Sequence, residues 1–170
     1  MNQRIINFYT KGKKNIFGKT FDDILNFDFE KMEKNHKYIQ YLFPLYEKSA
    51  WNILAPTLDD ETVKFLSENE IFKENAKKAF LKMLSFYGFE YCFSKESNSH
   101  KCILTKKDRL STWLTPNNHN FKRITRILIF LNIFGMQEES DAFYSALYNL
   151  SLENENITQK TLSFWENAVN

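Results

Sequence analysis

The sequence predicts an all-α protein, a single-domain irregular bundle of about six to eight helices. Three observations predict it. Apolar residues recur at steps of three and four over much of the chain, the spacing of one helix face. Only four glycines and three prolines occur in 170 residues, too few turn formers for an all-β design. Finally, 43% of residues are hydrophobic and 16% aromatic, enough to bury a real core in a chain of this length.

Residues 1–19 are polar and basic with scattered apolar positions, and read as an N-terminal arm on a domain filling 20–170. Thr20 with Asp23 has the form of a capping box. It opens a short helix over 21–27 that turns Ile24 and Leu25 inward.

The next segment is the most distinctive. Phe29, Met32, His36, Ile39 and Phe43 follow one another at helical steps, which predicts a single amphipathic helix from Phe29 to Phe43. Its charges, Glu30, Lys31, Glu33, Lys34 and Lys37, fall off the stripe centre. Asp28 is placed to cap the start, and Pro44 stops the helix by forcing Phe43 out of helical geometry. The anomaly is His36 on the apolar stripe, with Gln40 one turn on. Polar groups there must find partners or cost free energy. They either lock the packing or line a recognition pocket with Tyr38 or Trp51.

A connection over 45–56 carries Trp51 and Asn52, the indole being a natural anchor to the core. Thr57 precedes a helix with Asp59, Asp60 and Glu61 in its first turn, where negative charge suits the dipole. From Glu70 to Tyr87 the pattern is clearest: Phe72, Ala76, Ala79, Phe80, Met83, Leu84 and Tyr87 share a face, and Gly88 ends it. Residues 89–107 mix a short apolar piece with the loop-like run 94–99. Cys92, His100 and Cys102, even with His119, fit none of the compact zinc spacings, so no metal and no cofactor are expected. One more helical turn is expected over 108–114. A strongly apolar helix follows over 121–134, ended by Gly135, and two helices over about 138–152 and 158–168 complete the chain.

A net charge of +2 gives no general attraction to nucleic acid or anionic membrane. Two cysteines make no disulfide framework, which favours a reducing, cytoplasmic setting. The start of the chain lacks the apolar core of a signal peptide, and the greasiest run, 124–134, is too short to span a bilayer. A soluble protein is expected. The basic residues number 23, yet only Arg4, Arg109, Arg123 and Arg126 are arginines. In so lysine-rich a background arginine marks places that need a planar, bidentate donor. Arg123 and Arg126, three apart on one helix, can pair with carboxylates of packed helices or clamp an anion beside His119.

The stretches FDDILNFDFEKMEKNHKYIQYLFPL, SAWNILAPTL, LKMLSFYGFE and NHNFKRITRIL, in this order, closely resemble the conserved N-terminal region of the opioid growth factor receptor family. The resemblance spans roughly residues 17–150. It implies an all-helical domain. Animal members of the family are nuclear-envelope-associated receptors for an enkephalin growth-inhibiting peptide. This chain shows no long repeat-bearing tail, which suggests a short stand-alone, microbial relative.

Combined, these readings point to a helical domain that binds a peptide or protein through a polar-aromatic groove. Its candidate residues are His36, Tyr38, Gln40, Trp51, Asn52, His119, Arg123 and Arg126. The groove presumes that the His36 helix and the Arg123 helix meet in one bundle. The alternatives are a small hydrolase or transferase using His36 or His119, and a nucleic-acid binder using the Arg123 helix. No nucleophile elbow or phosphate loop supports catalysis, and no catalytic residue is assigned.

Overall fold

Ten α-helices and one β-hairpin make up the described residues, 1–48 and 54–170, of a computed structural model of the chain. They form two compact units, Met1–Lys82 and Met83–Asn170.

In the first unit, helix α1 (Gln3–Thr10) begins where the Asn2 side chain accepts from the Arg4 N–H. The segment read as an arm thus contains a helix with Ile5, Ile6, Phe8 and Tyr9 buried. Rings of Phe8 and Tyr9 meet Phe21, Tyr41 and Phe72 at centroid distances of 4.8–5.8 Å. Burial pushes the Tyr9 phenol well above its ordinary pKa, and its hydroxyl donates to the Leu42 carbonyl.

Helix α2 (Phe21–Leu25) opens on the expected capping box, Thr20 and Asp23 each bonding the other's backbone N–H. Asp28 caps α3 (Phe29–Lys34) through the Lys31 N–H at 2.7 Å. Here the structure departs from the single helix expected over 29–43. The chain leaves helical geometry at Asn35 (φ −93°, ψ 116°) and resumes as α4 (Ile39–Leu42). The Asn35 Oδ1 accepts from the Lys37 N–H at 2.8 Å, a local turn that competes with the helix ladder.

After α4, whose residues Ile39, Gln40, Tyr41 and Leu42 are all buried, comes α5 (Asp60–Ser67). Asp59 caps it, accepting from both the N–H and the hydroxyl of Thr62 at 2.8 Å. Helix α6 (Glu70–Tyr87) starts in the first unit and ends in the second. The boundary therefore falls inside a helix. For this reason no glycine-, proline- or serine-rich linker marks it in the sequence.

In the second unit, the all-α expectation needs correction. Residues 89–104 form an antiparallel hairpin, β1 (Phe89–Ser94) and β2 (Ser99–Leu104), where a loop-like segment was expected. The polar run supplies only the turn, with Asn98 at φ +48°. A single 3-10 turn (Lys107–Arg109) leads into α7 (Leu110–Trp113), followed by α8 (Asn120–Ile133), α9 (Gln137–Leu152) and α10 (Gln159–Val169). Helices α8, α9 and α10 pack on one another, and β2 lies on α9.

The C-terminus of α6 shows how this unit closes. Arg109 Nε donates to the Phe86 carbonyl at 3.0 Å, and Trp113 Nε1 to the Tyr87 carbonyl at 3.0 Å. Two side chains thereby satisfy helix-end carbonyls that have no partner within the helix. The Arg109 cation also sits at the negative end of the dipole. No described helix is long and apolar enough to cross a membrane.

Candidate binding site

Breaking the helix at Asn35 changes the position of His36. It is exposed, whereas the helical spacing placed it on a buried stripe. An open groove of about 640 Å³ lies at this break, lined by Asp28, Glu30, Lys31, Lys34, Asn35, His36 and Lys37. These residues belong to α3, its cap and the turn that follows.

Tyr38 and Gln40 do not line the groove. Tyr38 is buried, its ring edge-on to Phe27 at 6.2 Å. Gln40 is 6% exposed, and its Oε1 accepts no hydrogen bond from the described residues. The expected packing lock through Gln40 is therefore not made at that atom. Trp51 and Asn52 lie outside the described residues.

The helical spacing puts the groove's lysines off the apolar stripe. In the structure, Lys31 Nζ lies 4.0 Å from the centroid of the Phe27 ring and Lys37 Nζ 4.8 Å from that of Phe17. Lys82, on α6, sits 5.4 Å over Phe29 beside Asp28; burial pulls its ammonium below the ordinary lysine pKa, with Asp28 opposing. Of these pairs only Lys31 with Phe27, four apart, is local in sequence. Only the fold reveals which ring each one reaches.

His119, Arg123 and Arg126 belong to the second unit, at the start of α8. His119 is exposed at the N-cap position and makes no side-chain cap. Fully buried Asn120 stands between it and Arg123. Its Oδ1 accepts from Arg123 Nη1 at 3.1 Å, its Nδ2 donates to Asn118 Oδ1 at 3.0 Å, and the same Nδ2 lies 3.4 Å from His119 Nε2. The structure thus joins His119 and Arg123 through Asn120, a residue of the family-like motif that is not among the candidate binding residues. Arg123 is itself only 5% exposed, so its charge is held by this network beneath the surface. Arg126 is half-buried on the same helix.

On the hairpin, Cys92 pairs with Lys101 and Cys102 with Tyr91. Strand alternation therefore sends the two thiols to opposite faces. His100 stacks flat on Tyr91 at 4.7 Å and bonds Glu138 through Nδ1 at 2.6 Å. Burial raises the Tyr91 phenol pKa, and the nearby Glu139 and Glu138 add to the shift.

The geometry defines a mostly helical protein of two compact units, the first with a surface groove and the second with a buried arginine–asparagine network. The model of the opioid growth factor receptor (OGFr) conserved region matches residues 4–170, and the chain belongs to that family. The opioid growth factor receptor of Rattus norvegicus is 32% identical over 158 residues, 89% of this chain and 26% of the receptor. Opioid growth factor receptor-like protein 1 of Xenopus tropicalis is 32% identical over 123 residues, covering 71% and 23% of the two chains. The human opioid growth factor receptor is 34% identical over 113 residues, covering 65% and 16%. The chain thus spans about a quarter or less of these relatives. No solved structure matches.

Proposed function

We propose that the chain is a binding domain that recognises a peptide or protein partner, with His36 in the contacting surface. The observation that carries this reading is the open groove at the α3–α4 break, which exposes His36 within a family-like motif. A helix of uniform pattern would have hidden that side chain. Instead the chain gives up helical hydrogen bonds at Asn35 and presents the imidazole at the groove. Tyr38 and Gln40 act as the support that fixes the turn, and Trp51 and Asn52 belong to the same proposed set. His119, Arg123 and Arg126 form a second proposed contact set on α8, with His119 its exposed member.

Two of the relatives are named opioid growth factor receptors, and the family resemblance implies an enkephalin peptide, which is the first probe to try. The decisive experiment pans a displayed library of random peptides on the full chain and titrates the enriched peptides, with the enkephalin peptide alongside. Selected peptides should bind the native chain and lose most of their affinity for His36→Ala, whose circular dichroism should be unchanged. No enrichment, or peptides that bind His36→Ala as tightly, would overturn the proposal.

A further inference from the structure

We infer that the groove at the α3–α4 break takes an acidic segment, one that offers carboxylates to Lys31 and Lys37. This rests on the proposed binding role of the groove and names the chemistry of its partner. The argument starts from an inventory of charge. Four of the lining side chains are basic or can become so, Lys31, Lys34, His36 and Lys37, against the acids Asp28 and Glu30.

Both acids are engaged within the protein. The Asp28 carboxylate accepts from the Lys31 N–H at 2.7 Å as the α3 cap. Glu30 pairs with Lys34 at 2.5 Å. Lys31 and Lys37 have no carboxylate within ion-pair reach among the described residues, and each ammonium lies over an aromatic ring instead. A ring face attracts a cation without neutralising it. It also narrows the lysine's rotamer choice, which lowers the entropy lost when an anion arrives.

A cationic groove could equally be read as a nucleic-acid surface, and two observations favour an acidic peptide. The Asp28 and Glu30 carboxylates stand in the groove wall, where a continuous phosphate backbone would meet like charge. The chain as a whole carries a net charge of only +2, far from the basic balance of a phosphate-tracking protein. A peptide can place one or two carboxylates between those acids.

The test is fluorescence anisotropy of the full chain with two labelled peptides of one design, one carrying glutamates and the other glutamines at the same positions. A single-stranded DNA oligonucleotide serves as a third probe. The glutamate peptide should bind at least about tenfold more tightly than its glutamine twin, and weaken as salt rises. Lys31→Glu with Lys37→Glu should remove that preference, while Lys160→Glu, on α10, should leave it intact. Should the double reversal perturb folding, Lys31→Gln with Lys37→Gln replaces it and should shrink the preference.

Equal binding of the two peptides, or an undiminished preference in the double variant, overturns the inference. So does DNA that outcompetes the glutamate peptide and depends on the same lysines. If library panning yields neutral peptides that still require His36, the binding role stands and the acidic partner alone fails.

Discussion

Replacing Gly88 with alanine tests the account of how the second unit closes. Gly88 has φ +94°, in the left-handed region that costs a residue with a Cβ about 1–2 kcal/mol. Gly135 has φ +65° and carries a similar backbone cost, but a Cβ there would meet nothing within 4 Å. At Gly88 the added carbon would stand 2.5 Å from the Lys106 carbonyl oxygen and 3.1 Å from Arg109 Cβ. The obstacle is backbone, so no side-chain rotation relieves it.

Retreat of that segment would strain the bonds from the Thr105 and Lys106 N–H groups to the Gly88 carbonyl, at 2.9 and 3.0 Å. Overpacking of this kind costs about 1–3 kcal/mol, and weakening the two bonds adds about 1. Gly88→Ala should therefore destabilise by about 3–6 kcal/mol, and Gly135→Ala by about 1–2 kcal/mol. Urea unfolding of both variants, followed by circular dichroism, reads the difference. Thermal midpoints should separate by roughly 4–8 °C. Variants that match within about 0.5 kcal/mol would refute the claim that the segment leaving β2 crowds the end of α6.

Three further outcomes are expected. The Thr62 backbone N–H, with the Thr62 hydroxyl next, lowers the Asp59 pKa below its ordinary 3.8. Because the folded value is the lower one, its stabilisation is complete above the unfolded pKa and lost as pH falls through the folded one. Asp59→Asn should therefore flatten the decline of the urea midpoint below about pH 4. Trp165 is fully buried, with Nε1 donating to the Phe121 carbonyl at 3.2 Å. Trp165→Ala should cost about 3–5 kcal/mol and Trp165→Phe about 1–2, measured by the same unfolding curves. In thiol labelling, half-buried Cys92 should react well before buried Cys102, and mild oxidation should form no bond between them within one chain.

How much of this was legible beforehand depends on the range of the interaction involved. The capping box at Thr20 and Asp23, the Asp28 cap and the stops at Gly88 and Gly135 arise between residues a few positions apart. The sequence alone therefore determined them, along with most helices and the family resemblance. The hairpin is different: neither Phe89–Ser94 nor Ser99–Leu104 is a strand without the other, and β2 needs α9 beneath it. A period of two over six residues gives too weak a signal to announce that partnership.

His36 shows the limit most clearly. Its spacing from Met32 and Ile39 is helical, yet spacing describes a helix only if the helix continues. Tertiary structure ends α3 at Asn35 and drives all of α4 inward, where Tyr9 donates to the Leu42 carbonyl from 33 residues away in sequence. Burying Ile39, Tyr41 and Leu42 together outweighs the loss of a few helical hydrogen bonds at 35–38. Which residues line a groove was decided there, by the local Asn35 turn together with contacts distant in sequence.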